Sequence, residues 1–274
     1  MKKIKAITLD LDGTLLNNQK EITEYTVRTL KKAKEYGIKV VLCTGRPLKG
    51  ILHLLKQLEL TEEGDIAIAF NGGLIQYVKS NEVLYQATLS KEDIVYIYHQ
   101  AYQVGLPTVM IDLEYVYETN YPTNFPSLYP SLMTLLSYQT KQPEDFNENH
   151  RFNKALLCTE TEQLDKGIAQ LPKEFFERFN CFKSRPILLE VVPKEVSKGK
   201  ALHQLASILG ITTDEIMACG DEANDYDMIQ TAGFGVAMGN ATDEIKKIAD
   251  YITTTNEEDG VAKAVEYIIE MQYK

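Results

Sequence analysis

The chain has 274 residues, 44% of them hydrophobic, which is enough for one large core or two smaller ones. A net charge of -10 repels nucleic-acid backbones and anionic membranes and argues against a polyanion partner. No stretch approaches the ~18 apolar residues of a membrane helix. Cys43, Cys158, Cys181 and Cys219 form no Cys-x-x-Cys pair, against a zinc site or a disulfide framework.

The start, Met1-Lys2-Lys3-Ile4-Lys5, is basic, but the apolar run is short and ends at Asp10, unlike a signal peptide. Reduced thiols and a cytoplasmic location are expected. Residues 4–10 read as a buried strand, and 23–36 as a helix stopped by Gly37. Residues 38–43 read as a second strand, and Pro47 opens a helix to about Leu58. Residues 66–70 are a third strand, ended by Asn71-Gly72-Gly73. This alternation predicts parallel βαβ units.

The middle of the chain differs. Nine of the 16 tyrosines lie between Tyr85 and Tyr138, and Pro122, Pro126 and Pro130 interrupt a loop over 119–131. That shift in composition predicts an inserted domain over 85–184, between core segments 1–84 and 185–274. The last segment resumes the first rhythm: helix 198–209, strand 216–219, helix near 224–231 and strand 234–237. A helix near 242–249, a strand near 250–253 and a helix near 259–270 complete it. The fold class is therefore α/β, a doubly wound parallel-sheet core with an inserted α/β domain.

In an open parallel sheet, ligands bind beyond the carboxyl ends of the strands. Four polar clusters fall at or near that edge: Asp10-Leu11-Asp12-Gly13-Thr14, Thr44-Gly45-Arg46, Lys198, and Gly220-Asp221-Glu222-Ala223-Asn224-Asp225. Each alone has a plainer reading, as a solvated turn, a strand-to-helix turn, an exposed lysine or a helix cap. Their joint placement favours a site. If strand geometry holds through Asp12, the period of two points Asp10 and Asp12 to the same side. Such a pair suits a hard cation, and a nucleophile beside an acid/base. Cys43 fails the Cys-x5-Arg pattern of cysteine phosphatases, because Lys49 stands sixth after it. It reads as a core residue.

These motifs, with Phe70-Asn71-Gly72-Gly73 and Gly235-Val236-Ala237-Met238-Gly239-Asn240-Ala241, resemble the haloacid dehalogenase-like hydrolase superfamily. The likeness is greatest to its Cof-type branch, whose cap domain is inserted between the second and third motifs. The resemblance implies a magnesium-dependent phosphatase of small phosphorylated metabolites, sugar phosphates first and phosphorylated cofactors next. By that mapping Asp10 is the nucleophile and Asp12 the general acid, then base. Mg2+ is held by Asp10, Asp221 and the backbone carbonyl of Asp12, with Asp225 behind them. Thr44, the Gly45 backbone, Lys198 and Asn224 hold the phosphoryl oxygens, and Arg46 helps to order its turn. A phosphotransferase or phosphosugar mutase, and a non-catalytic phosphometabolite-binding protein, are the competing readings. No motif names the substrate, the selecting residues of the tyrosine-rich insert, or the oligomeric state.

Overall fold

The computed structural model describes residues 2–134 and 136–273. Two compact units emerge, one from the chain up to Gln86 and from Ser197 onward, the other from Ala87–Val196. The first unit begins with β1 (Ala6–Leu9), α1 (Glu24–Glu35), β2 (Lys39–Cys43), α2 (Leu52–Gln57) and β3 (Ile66–Ala69). A hairpin, β4 (Leu74–Tyr77) and β5 (Val83–Gln86), follows. The second unit carries α3 (Lys91–Gln103), β6 (Thr108–Ile111), β7 (Val116–Glu118), α4 (Tyr129–Leu132) and β8 (Tyr138–Thr140). It continues through β9 (Lys154–Cys158), α5 (Thr161–Ile168), α6 (Lys173–Arg178), β10 (Phe179–Arg185) and β11 (Leu188–Pro193). The chain then returns to the first unit with α7 (Lys198–Leu209), β12 (Ile216–Gly220), α8 (Tyr226–Thr231), β13 (Phe234–Ala237), α9 (Asp243–Ile248), β14 (Tyr251–Ile252) and α10 (Gly260–Tyr273).

Among the described residues the first unit holds an eight-stranded sheet in the order β14-β13-β12-β1-β2-β3-β4-β5. Strands β14 to β3 are parallel, and β4 and β5 run antiparallel at the edge. Strand order moves outward in one direction from β1 to β3 and in the other from β12 to β14. The switch point therefore lies between β1 and β12, where an open α/β sheet leaves a crevice for ligands. β1 is wholly buried, Ala6-Ile7-Thr8-Leu9, as a parallel strand with both faces covered must be. Thr23 caps α1 by accepting from the Thr26 N–H, and Gly210 ends α7 in the left-handed region at φ 65°.

The second unit has its own six-stranded sheet, β10-β11-β9-β6-β7-β8, antiparallel except for β7 against β8. Its core packs Ile94, Ile97 and Ala101 of α3, Leu164 of α5 and Phe175 of α6 against Ala155, Leu157, Leu189 and Val191 of the sheet. Tyr117 joins that core edge-on to Phe146, with ring centroids 4.8 Å apart. Some of the tyrosine enrichment is thus core packing.

Several expected boundaries move. The expected start at 85 falls inside β5, which pairs with β4 in the first sheet. The expected end at 184 falls inside β10, whose ladder with β11 runs from Phe179–Pro193 to Arg185–Leu188. Cutting there would break a hairpin, so the unit closes at Val196. The helix expected from Pro47 opens as a 3-10 turn over Leu48–Ile51 before α2.

Candidate active site

The Asp10 backbone N–H donates to the Cys219 carbonyl at 3.1 Å, tying the end of β1 to β12. Regular strand ends at Leu9, and the chain turns back on itself, with Leu16 N–H donating to the Leu11 carbonyl at 2.8 Å. The period-of-two expectation for Asp10 and Asp12 therefore fails, and the two carboxylates find different partners. Gly13 makes the turn possible. It has φ 83°, and a Cβ there would overlap the Asp221 carboxylate.

Asp221, just past β12, accepts from the Thr14 hydroxyl at 2.8 Å. Lys198, the first residue of α7, is fully buried, and its Nζ donates to Asp10 Oδ1 and Asp225 Oδ1, each at 2.5 Å. Asp225 also accepts from the backbone N–H groups of Asp221 (3.0 Å) and Glu222 (3.2 Å) through Oδ2. Asp225 thus braces Lys198 and the loop carrying Asp221. Asp10, Asp221 and Asp225 place carboxylate oxygens within 4.8 Å of one another.

Thr44, Gly45 and Asn224 meet around Asn71. The Asn71 N–H donates to the Thr44 carbonyl at 2.9 Å, and Asn224 Nδ2 donates to Asn71 Oδ1 at 3.3 Å. A Cβ on Gly45 would come within 2.8 Å of Asn71 Nδ2, so this close approach needs glycine. The Thr44 hydroxyl accepts from the Arg46 N–H at 3.2 Å. Phe70 and Asn71 are successive non-glycine residues in the left-handed region, at φ 53° and 56°. Strain of that kind costs of order 1–3 kcal/mol per residue and collects at functional sites.

A model of the haloacid dehalogenase-like hydrolase family matches residues 7–265. The chain belongs to that family. The Bacillus subtilis protein named "Putative phosphatase YxeH" is 37% identical over 265 residues, covering 97% of this chain and 98% of its own. Another from the same organism, "5-amino-6-(5-phospho-D-ribitylamino)uracil phosphatase YcsE", is 32% identical over 264 residues, covering 96% and 95%. The crystal structure of a haloacid dehalogenase-like hydrolase from Bacteroides thetaiotaomicron matches with a TM-score of 0.85 at 36% identity. That match covers 97% of this chain and 100% of the other. Among haloacid dehalogenase-like hydrolases, this chain is an enzyme of the phosphatase class.

The electrostatics of this hydrolase site call for a cation. Burial pushes the Asp10 carboxyl up to about 7, and Asp225 adds to it, while Lys198 only partly offsets the rise. Burial, then the charges of Asp10 and Asp225, push Asp221 up to about 8. Of the three clustered carboxylates, Asp10 and Asp225 are recorded on the buried Lys198 ammonium and Asp221 is not, and an all-oxygen acidic set suits a hard divalent ion. The donor set therefore fits the metal. Lys198 itself stays charged: burial works against its proton, but Asp10 and Asp225 more than compensate. Burial also pushes the Cys43 thiol up to about 12, so it stays protonated.

A pH-dependent consequence follows. The folded chain keeps protons on Asp10 and Asp221 that the unfolded chain releases near 3.8. Without a cation, these two groups cost stability as pH rises from about 4 to about 8. A divalent ion held there would replace those protons, so Mg2+ should raise the melting temperature more at about pH 8 than at about pH 5.5. Thermal unfolding with Mg2+ or EDTA at both pH values checks this; equal shifts would count against a cation between Asp10 and Asp221.

Asp12 stands apart from the carboxylate cluster. Arg46 donates from Nε to Oδ2 (3.0 Å) and from Nη2 to Oδ1 (2.7 Å) and Oδ2 (2.8 Å). Lys20 Nζ donates to Oδ1 at 2.8 Å. Burial alone would raise the Asp12 carboxyl, but Arg46 and Lys20 hold it below the usual carboxylate range. Four residues of the site have no assigned contact in the sequence reading: Thr14, Lys20, Arg46 as a partner of Asp12, and Asn71. Asn71 stands in the Phe70-Asn71-Gly72-Gly73 motif of the family resemblance, but nothing in that run gives it a partner. Lys20 lies in a polar stretch with no periodicity to mark it.

Proposed function

We propose that the protein is a magnesium-dependent phosphatase of small phosphorylated metabolites, acting through a phosphoryl group carried on Asp10. The observation that carries this reading is the buried Asp10 carboxylate, held by Lys198 beside Asp221 at the switch point of the sheet. A buried carboxylate with a fixed cationic partner can serve as a covalent nucleophile.

In the first step an Asp10 oxygen bonds to the phosphorus and the bond from phosphorus to the ester oxygen breaks. The departing oxygen takes a proton from Asp12; Arg46 and Lys20 keep that carboxyl ionised in the free protein, so it takes up the proton from solvent as the substrate binds, before the step. In the second step a water oxygen bonds to phosphorus and loses its proton to the Asp12 carboxylate. The bond from phosphorus to Asp10 breaks, freeing inorganic phosphate and regenerating Asp10. One group acting as acid and then base needs Asp12 at a fixed place, which Arg46 and Lys20 supply.

Asp10 and Asp221, with the Asp12 carbonyl as a further oxygen, would hold Mg2+, which when bound would supply charge neutralisation between the anionic nucleophile and the anionic ester. Lys198, Thr44, the Gly45 N–H and Asn224 are the groups for the phosphoryl oxygens, with Asp225 holding Lys198. They offset the general field of a chain with net charge -10.

The relative named for a phosphoribityl substrate removes phosphate from a sugar-alcohol chain. That supports phosphate esters of sugars and related polyols as the first substrate class. All four cysteines are free thiols, in keeping with a cytoplasmic enzyme. No helix among the described residues is long and apolar enough to cross a membrane.

A Mg2+-dependent phosphate-release screen over phosphorylated metabolites tests the function. Sugar and polyol phosphates should release inorganic phosphate, and EDTA should stop it. Binding without release would instead mark a sensor, and transfer to a second sugar would mark a mutase. Asp12→Ala should slow release from alkyl phosphates by ~10²–10⁴. A loss below tenfold in steady-state assays would remove the acid/base assignment.

A further inference from the structure

We infer that Arg46 is a positioning residue for Asp12, linking the Thr44-Gly45-Arg46 turn to the acid/base carboxylate. The inference rests on the reading of Asp12 as acid and base. Its own support is geometric. Three of the four side-chain hydrogen bonds recorded on Asp12 come from one guanidinium, through Nε and Nη2, which reach both carboxylate oxygens at 2.7–3.0 Å. The carboxylate is therefore fixed in rotation as well as position, since a fork on both oxygens resists turning about the bond to Cβ. Lys20 adds one contact, to Oδ1 alone, from a side chain 56% exposed. It cannot set orientation.

The other end of Arg46 is pinned. Its N–H donates to the Thr44 hydroxyl at 3.2 Å, and its carbonyl accepts from the Phe70 N–H at 3.3 Å. Phe70 and Asn71 hold the left-handed conformation that brings both N–H groups onto the 44–46 turn. The turn that carries Thr44 and Gly45 is thus rigidly joined, through Arg46, to Asp12. A shift of the turn would carry the acid/base group with it.

Positioning differs from substrate binding and from plain structural support in what it does to the two halves of the reaction. General acid help matters for a poor leaving group such as an alkyl alcohol and little for p-nitrophenol. The ratio kcat/KM reports the first chemical step, in which the ester oxygen departs. Arg46→Lys and Arg46→Ala should therefore lower kcat/KM for a sugar phosphate by about 10²-fold, and for p-nitrophenyl phosphate far less. In an Asp12→Asn background, either substitution should add little further loss, because the group being positioned is gone.

The controls separate the inference from the reading beneath it. Asp12→Asn alone should show the same selectivity for the alkyl ester. If it does, and the Arg46 variants lose both esters equally, the positioning role is overturned and Asp12 stands. If Asp12→Asn is itself unselective, both fall. Additive losses in the double variants would make Arg46 a substrate-binding group and overturn positioning. Arg46→Lys keeps the charge without the fork, so its selective loss at unchanged melting temperature supports orientation over folding.

Discussion

Asp10→Asn should abolish turnover while leaving the metal-free fold as stable as the parent, or more so. The amide is close to the carboxylate in shape but cannot form the bond to phosphorus. Losing the covalent nucleophile should cost on the order of 10⁴-fold or more in kcat. Stability should move the other way, for an electrostatic reason. Burial and the Asp225 charge push Asp10 up to about 7, so its ionised form is costly in the folded chain. The sign follows from that direction: the cost is absent below the unfolded value and complete above about 7. A neutral isostere removes it. In EDTA at about pH 8, Asp10→Asn should therefore melt at or above the parent temperature. Phosphate release and thermal unfolding on the same preparation check both halves. Measurable steady-state turnover in Asp10→Asn, with a second nucleophile found by mass spectrometry, would end the role assigned to Asp10.

The core elements could be read because their patterns are local. Strands β1, β2, β3, β12 and β13 announce themselves as short apolar runs ending in Gly, Asp or Thr, and their helices carry ordinary caps and stops. The same logic found Asp10, Asp221 and Lys198, because each motif sits where a strand stops or a helix starts. The hairpin β4–β5 was harder. Leu74–Tyr77 follows an Asn-Gly-Gly turn with no helix between, so it breaks the alternation that revealed the other strands. The end of the inserted unit was missed for a related reason. Strands β10 and β11 are joined by a tight hairpin, and tertiary pairing alone says on which side of residue 184 the unit closes.

Contacts between distant segments were not legible at all. Asn71 and Asn224 are 153 positions apart, and Thr14 and Asp221 are 207 apart, yet each pair shares a hydrogen bond. The Asp12 fork was hidden differently. Asp12 and Arg46 both lie in visible motifs, but a period-of-two reading grouped Asp12 with Asp10. The turn after Leu9 sends it to Arg46 and Lys20 instead. One pair of carboxylates thus becomes two environments. Burial and Asp225 raise Asp10, while Arg46 and Lys20 lower Asp12, so each has to change protonation state, Asp10 losing a proton to a cation and Asp12 gaining one with the substrate, before it can take its proposed role.

Lys198→Ala should be the most damaging single change to the fold at this site. The ammonium is the only side-chain cation recorded on Asp10 and Asp225 among the described residues, at 2.5 Å from each. Removing one member of a buried ionic group leaves its partners uncompensated, at a cost of about 3–5 kcal/mol. Lys198→Met separates charge from packing, because Met keeps an unbranched apolar stem of similar length. The methionine variant should lose activity as fully as the alanine one, since both lack the charge facing Asp10. Without the ammonium, which lowers it, the Asp10 carboxyl holds its proton to still higher pH. The loss in melting temperature should therefore be small at about pH 5 and large at about pH 8. Mg2+ should recover much of that stability by neutralising Asp10 and Asp221, yet recover no turnover. The result that would defeat this account is a Lys198→Met protein with activity within tenfold of the parent in steady-state assays. Asp10 would then need no fixed cation, and Lys198 would be a structural strut beneath the site.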